Sequence, residues 1–167
     1  MRAPQLVVLE TDGWIARHLN DIATEGAWLV RGTRGVDAAL SFVREGRPSV
    51  LIVQAELAED RLAPLRLIAD VCRASPDVAV VVVSDVKLSD ADRVAWTAAL
   101  FDLGARYVLF PPLTKPVLED VVSGLMAATI RRVVGEESSD KTEVPKPKPR
   151  PKVVEETIDL ADEELHE

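Results

Sequence analysis

The chain lacks several features on which whole protein classes depend. It has one cysteine, Cys72, so neither an intramolecular disulfide nor a zinc-binding cysteine cluster can form. No apolar run approaches the roughly 18–20 residues that cross a bilayer, and the run 6–9 is too short for a signal-peptide core. The formal net charge of −8 argues against a nucleic-acid surface, which needs a basic face. We therefore expect a cytoplasmic protein that neither inserts into membranes nor binds nucleic acid.

Aromatic residues make up only 4% of the chain and hydrophobic residues 47%, so its core must consist mainly of valine, leucine, isoleucine and alanine. The apolar patterns stop near Gly135. Residues 136–152 read EESSDKTEVPKPKPRPK, with proline at every second position from Pro145 to Pro151. Such a segment buries too little apolar surface to offset its chain entropy, which predicts a disordered linker, extended where the prolines alternate. The predicted divisions are a domain at 1–135, a linker at 136–152 and a tail at 153–167.

The predicted tail is acidic. From residue 136 to the end there are 11 Asp+Glu and 5 Lys+Arg, which leaves a net charge of only −2 on residues 1–135. One interpretation of the tail is a short helix that folds in a partner's groove. The other is an acidic tail that only increases solubility. The first rests on apolar residues at helical spacing, which are Val154, Ile158, Ala161 and Leu165.

The predicted domain alternates strand-like runs with helical patterns. The first, third and fourth runs are wholly apolar, as in central parallel strands that are covered on both faces. Five β-α repeats predict an α/β fold with a doubly wound parallel sheet in the flavodoxin-like order 2-1-3-4-5. Its functional edge then lies at the carboxyl ends of the first, third and fourth strands. The runs are 6–9, 28–31, 50–53, 78–83 and 106–110.

Capping signals predict where the helices begin and end. We expect the first helix to begin with Asp12 as its N-cap residue. The fourth should begin at the capping-box pair Ser89 and Asp92. The fifth should end around Val134. The predicted core face of the fourth helix consists of Val94, Ala98 and Phe101.

Several segments resemble the receiver domain of two-component response regulators. LVVLET is similar to the first strand of that family, RPSVLIVQ to the third and VAVVVVSD to the fourth, and LFDLGARYVLFPP is similar to the fourth helix with the fifth strand. The most specific features are Gly104-Ala105 before the last strand and the Arg-Pro-Ser lead-in to the third. The resemblance spans roughly residues 4–130 and implies the CheY-like receiver fold.

The resemblance also implies a phosphorylation site. In chain order, the family has two acids that hold Mg²⁺, an aspartate that accepts the phosphoryl group, and a hydroxyl that contacts the phosphoryl oxygens. The family also has an aromatic on the fifth strand, which changes rotamer with the hydroxyl, and a lysine after that strand, which contacts the phosphoryl oxygens. The matching positions here are Leu9, Glu10, Gln54, Ser84, Val108 and Pro111.

This set departs from the family at positions that matter for chemistry. An amide such as Gln54 cannot form an acyl phosphate by the family's route, and Glu10 alone would make a weak Mg²⁺ site. Lys115 and the proline after it resemble the family's lysine-proline pair, but they lie too far beyond Gly104. We therefore expect a pseudo-receiver: a stand-alone, non-enzymatic protein of two-component (phosphorelay) signalling that acts by phosphorylation-independent contact and holds no cofactor or metal. The alternatives are a response regulator phosphorylated atypically on Ser84, and a small flavodoxin-like enzyme or cofactor binder.

The resemblance implies protein partners: a histidine kinase, an output protein, or a second copy bound through the face of the fourth helix, fifth strand and fifth helix. Trp96 and Tyr107 are candidate interface residues on that face. Trp96 lies off the predicted core face of its helix, which leaves two interpretations. It is either exposed as an interface anchor, or it packs at the edge of the core. His18 is expected at the surface, and Cys72 in the core.

Two interpretations stay open at each polar position of the site. Gln54 either mimics one phosphorylation state of a receiver or only caps its strand by hydrogen bonds to loop backbone. Ser84 is either a switch hydroxyl or a local hydrogen-bonding residue. Glu10 and Asp85 are either a weak cation site or solvated loop carboxylates.

Overall fold

The computed structural model describes residues 2–56 and 63–139, which form a five-stranded parallel sheet with helices on both faces. The strand order is 2-1-3-4-5, as predicted. The elements in chain order are β1 (Gln5–Leu9), α1 (Trp14–Glu25), β2 (Leu29–Thr33), α2 (Val36–Val43), β3 (Ser49–Ala55), α3 (Ala63–Ala74), β4 (Ala79–Ser84), α4 (Asp90–Asp102), β5 (Tyr107–Leu109) and α5 (Lys115–Ser139).

The core consists of two apolar layers, one on each face of the sheet. Side chains alternate along β1, so that Leu6 and Val8 belong to the layer under α1 and α5, whereas Val7 and Leu9 belong to the layer under α2, α3 and α4. β1, β3 and β4 are buried along their whole length because both of their faces are covered. This burial explains the unbroken apolar runs from which the strands were predicted.

Helix α4 turns a different face to the core from the one predicted. Leu100 is fully buried and Trp96 packs against the same layer, whereas Val94 is 71% and Phe101 48% exposed. Ala98 is exposed as well. This helix has two apolar stripes. The stripe that contains the indole ring packs against the sheet, because it has more apolar area to bury. The predicted core face is therefore wrong, and of the two alternatives for Trp96 the structure matches packing and not exposure.

The start of α4 was predicted correctly, and the start of α1 was not. Ser89 is the N-cap residue of α4, and its Oγ accepts a hydrogen bond from the backbone N–H of Asp92 at 3.2 Å. Helix α1 begins at Trp14 after Gly13, whose φ of 76° is in the left-handed region. Asp12 therefore precedes the N-cap position instead of occupying it, and its carboxylate is used elsewhere, as described below.

Helix α5 extends to Ser139, beyond the predicted end at Val134. Its buried residues are Leu118, Val122 and Met126. The other residues of the predicted linker and the whole predicted tail, with Val154, Ile158, Ala161 and Leu165, lie outside the described residues. Of the helices in residues 2–56 and 63–139, none combines the length and the apolar character needed to cross a membrane.

Gly104 fixes the turn that leads from α4 into β5. Its φ of +106° is a conformation that residues with a side chain rarely adopt. A Cβ at this position would also lie 2.6 Å from the Sγ atom of Cys72 on α3. Cys72 packs against the apolar layer under α2, α3 and α4, as predicted, and partial burial raises the pKa of its thiol. The glycine therefore lets α3 approach the turn closely.

Candidate functional site

The carboxyl ends of β1, β3 and β4 meet at a cleft of about 390 Å³. In open α/β sheets ligands bind at this edge. The cleft brings together three of the positions assigned from the sequence, Leu9, Glu10 and Gln54, and adds charged groups from neighbouring loops. Its lining includes Leu9, Glu10, Thr11, Arg34, Gln54, Glu56 and Asp85.

Gln54 is the centre of a hydrogen-bond network at this edge. The residue is 9% exposed. Its Oε1 accepts hydrogen bonds from the backbone N–H of Thr11 at 2.7 Å and from the Thr11 hydroxyl at 3.2 Å. Its Nε2 donates to Asp85 Oδ2 at 2.5 Å and to Asp12 Oδ1 at 3.2 Å. The amide thus uses both of its N–H groups and its oxygen, and it ties the loops after β1 and β4 to the end of β3.

An amide suits this set of contacts, because its side chain donates two hydrogen bonds to carboxylates and also accepts from Thr11. A carboxylate at this position would accept from Thr11 but would face two further carboxylates. The contact with loop backbone fits the interpretation of Gln54 as a strand cap. A strand cap does not account for the two hydrogen bonds from Gln54 to carboxylates. No local sequence signal predicts these bonds, because Asp12 and Asp85 lie 42 and 31 residues away along the chain.

Asp85 is the carboxylate beside Gln54 whose pKa responds to its surroundings. Partial burial raises the pKa of Asp85, the hydrogen bond from Gln54 lowers it, and the neighbouring charges of Asp12 and Glu56 raise it again. The amide N–H groups lie between two of these acids, Asp12 and Asp85. Within residues 2–56 and 63–139, no three His, Cys, Asp or Glu side chains are grouped so that they could hold a metal ion.

Glu10 is neither a solvated loop carboxylate nor free to bind a cation. It is 5% exposed, and both of its oxygens face the start of α1. Oε2 accepts the backbone N–H of Ile15 at 2.7 Å, and Oε1 accepts that of Ala16 at 3.0 Å. These are N–H groups of the first helical turn, which have no partner within the helix. Glu10 therefore caps α1 in place of Asp12, and its negative charge lies at the positive end of the helix dipole.

Ser84 ends β4 and is 3% exposed. Its Oγ donates to the carbonyl of Val86 and accepts from the N–H of the same residue, both at 3.2 Å. This local turn matches the interpretation of Ser84 as a local hydrogen-bonding residue. The hydroxyl makes no hydrogen bond to Gln54, although both residues end neighbouring strands.

The two positions assigned on and after β5 carry no group for phosphoryl binding. Val108 packs against the layer under α2, α3 and α4. Pro111 is joined to the following proline by a cis peptide bond. Lys115 is directed away from the cleft: its Nζ lies 3.0 Å from Asp21 on α1 and 3.6 Å from Glu119 on α5. The hydrogen bond and charge of Asp21, with the charge of Glu119, raise the pKa of Lys115.

A second cleft, of about 700 Å³, lies between α4 and β5. The residues that were wrongly predicted as core line it, so the apolar stripe of α4 opposite the core faces solvent. Arg93 lies beside it, with its guanidinium carbon 5.3 Å from the centre of the Phe110 ring. Tyr107 is exposed but lines a different cleft, because neighbouring residues of a strand point to opposite faces of the sheet. The apolar lining consists of Val94, Ala98, Phe101, Val108 and Phe110.

His18 is exposed on α1, as expected. Its Nδ1 lies 2.7 Å from the carbonyl oxygen of Trp14, and the two rings meet edge to face. Both contacts lie within one helix, and the residue takes no part in the cleft at the carboxyl edge.

The sequence matches no protein-family model and no curated protein. Solved structures do match. A CheY-like receiver domain from Methanospirillum hungatei superposes with a TM-score of 0.59 at 12% identity, over 78% of this chain and 99% of that one. The fold is that of a CheY-like receiver domain.

Two further structures have the same fold. A protein described as a response regulator from Chloroflexus aurantiacus matches with a TM-score of 0.58 at 18% identity, over 75% of this chain and 99% of that one. The signal receiver domain assigned to a LuxO repressor of Vibrio parahaemolyticus gives 0.61 at 14% identity, over 81% of this chain and 98% of that one. At such low identities the comparisons establish the receiver fold, and the chemistry must be argued from this chain's own residues.

Proposed function

We propose that this protein is a non-enzymatic signalling module of a two-component system, which uses the receiver fold for protein contact without phosphorylation at the usual position. One observation carries the proposal: the amide of Gln54, at the position of the phosphoacceptor, is hydrogen-bonded to Asp12, Asp85 and Thr11. A group engaged in this way holds the site in one arrangement without a phosphoryl group or a cation.

The chemistry supports the proposal at each step of phosphoryl transfer. The family's route needs a carboxylate oxygen as nucleophile, and the amide of Gln54 is not a useful one. It also needs Mg²⁺, which prefers carboxylate and phosphate oxygens. Glu10 uses both carboxylate oxygens to cap α1, and Lys115 is paired with Asp21 and Glu119.

The exposed stripe of α4 supports action by contact. Val94 and Phe101 present apolar surface beside β5. Apolar and aromatic residues of this kind anchor protein interfaces. We propose this surface as the binding site for a signalling partner or a second copy, with Phe101 as an anchor in place of Trp96.

The test is to incubate the full chain with Mg²⁺ and a small-molecule phosphodonor and to measure its intact mass. Addition of beryllofluoride, followed by ¹H–¹⁵N NMR, would test for binding of a phosphoryl analogue at the site. We expect no mass shift and no change in the signals of Thr11, Gln54 or Asp85. A receiver domain with aspartate at the acceptor position, treated in parallel, is the positive control.

A stoichiometric phosphoryl adduct would overturn the proposal. Peptide mapping of the adduct would then distinguish atypical phosphorylation of Ser84 from modification elsewhere. The buried Ser84 hydroxyl, hydrogen-bonded to the backbone of Val86, leads us to expect none.

A further inference from the structure

A groove lies at the opposite edge of the sheet from the Gln54 network, where β3, β4 and β5 begin. It consists of two adjoining clefts of about 280 and 370 Å³, which share Pro76, Asp77, Thr129 and Arg132 as lining. We call it the amino-edge groove. One cleft extends along Arg106 and Tyr107, and the other along Arg47 and its neighbours.

The amino-edge groove combines cations with apolar surface. Arg106 is exposed and makes no side-chain hydrogen bond or ion pair with any residue that the structure describes. Arg132 binds the carbonyl and carboxylate of Asp77 at 3.2 and 3.1 Å, and Arg47 binds Glu45 at 3.3 Å. Apolar lining comes from Val43, Pro48, Val78, Leu125 and Val133.

We propose that the amino-edge groove binds the chain's own acidic segment 153–167. That segment has Asp or Glu at seven of its fifteen positions and a stripe of apolar residues at helical spacing, so it matches both properties of the groove. The α4 surface is a poorer match, because Asp90, Asp92 and Asp102 lie on that helix and would repel the segment.

The path of the chain also favours this groove. Arg132 and Val133 on α5 line it, and the helix ends at Ser139, so the chain leaves the described fold about 10 Å beyond the groove at 1.5 Å per residue. Residues 140–152 can span up to roughly 40 Å at about 3.1 Å per residue, which is enough to return to the groove.

Covalent attachment lowers the affinity that such docking requires. A segment linked to its own binding site has an effective concentration on the order of millimolar. Several exposed ion pairs and a few buried apolar side chains then suffice to populate the docked state. Ion pairs at the surface are screened by salt, so the docked fraction must fall steeply as ionic strength rises.

The test uses paramagnetic relaxation in the full chain. A nitroxide is attached to Thr157→Cys in a Cys72→Ala background, which puts the label off the apolar stripe. Docking predicts that the backbone amide signals of Asp77, Arg106 and Arg132 broaden at low salt and recover at high salt. Arg106→Glu should abolish most of the broadening. Arg66→Glu is the matched control, since Arg66 is an exposed arginine of α3 without a side-chain partner among the described residues.

Three outcomes would overturn the proposal. The first is broadening that is absent, or that centres on the α4 surface. The second is an equal loss of broadening with Arg66→Glu and Arg106→Glu. The third is broadening of equal size when nitroxide-labelled chains are mixed with separate ¹⁵N-labelled chains, which would identify a second copy as the occupant. These outcomes are independent of the phosphorylation test.

Discussion

Replacing Gln54 by glutamate changes one amide into a carboxylate of nearly the same size at the centre of the hydrogen-bond network. The variant loses both N–H donors that face Asp12 and Asp85, at 3.2 and 2.5 Å. It keeps an oxygen that can accept from Thr11. The substitution therefore removes two attractive contacts and places a third negative charge between two existing ones, with little change in packing.

The expected loss follows from these contacts. A hydrogen bond to a charged group contributes about 1.5–3 kcal/mol. Asp12 and Asp85 are exposed, so water replaces part of each bond and the lower end of that range applies. The two lost bonds therefore account for about 3 kcal/mol, and repulsion from the new charge adds to this loss in the free energy of unfolding at pH 7. Urea unfolding followed by circular dichroism measures it.

The same variant has a pH signature. Two neighbouring carboxylates raise the pKa of the introduced carboxyl above its unfolded value of about 4.3, so the folded state holds that proton to higher pH. The deficit relative to wild type should be small below the unfolded pKa and should grow as the pH rises through the folded pKa. A protonated carboxyl also regains one donor.

Gln54→Met is the matched control, because it removes the donors without adding charge. It loses the same two donated bonds, and also the oxygen that accepts from Thr11, so we expect it to cost at least about 3 kcal/mol, with no comparable dependence on pH. The reasoning fails if Gln54→Glu is as stable as wild type at pH 7, or if both variants lose the same stability over the whole pH range.

Three further predictions concern other parts of the domain. Glu10→Gln should lower the free energy of unfolding by about 1–2 kcal/mol, since the amide can accept only one of the two N–H groups at the start of α1; urea unfolding measures this loss. Leu100→Ala should cost about 2–5 kcal/mol, whereas Phe101→Ala, at the exposed face of the same helix, should cost less than about 1 kcal/mol. Asp85→Asn should change the pH dependence of stability. Partial burial raises the pKa of Asp85 in the folded state, despite its hydrogen bond from Gln54. Protonation of Asp85 therefore contributes to the free energy of unfolding below the unfolded pKa, and this contribution is lost as the pH rises through the folded pKa. The variant should lack this decrease in stability with rising pH.

Each of these has a result that would contradict it. Unchanged stability in Glu10→Gln would show that the cap contributes nothing. Equal losses in Leu100→Ala and Phe101→Ala would mean that α4 does not bury the face described here. Parallel curves of stability against pH for Asp85→Asn and wild type would remove Asp85 from the titrating groups.

The strand order and most element positions could be predicted, since they depend on local periodicity and on general rules for parallel sheets. The face of α4 could not. Its sequence carries one apolar stripe with Val94 and Phe101 and another with Trp96 and Leu100, and periodicity does not rank them. Packing against the sheet decided between them. The start of α1 was predicted wrongly for a related reason: Asp12 fits a local capping rule, whereas the side chain that caps the helix belongs to Glu10, directly after β1.

The sequence by itself determined the fold class, through the spacing of its apolar runs, and the presence of an amide near the carboxyl end of the third strand, through the identity of residue Gln54. These are properties of local pattern and of one side chain. The tertiary structure alone decided what the glutamine does. Its partners Asp12 and Asp85 are brought to it by the parallel register of β1, β3 and β4, which places the ends of three strands side by side. A one-dimensional pattern cannot encode that proximity, because hydrogen bonds between loops depend on where the strands end in space.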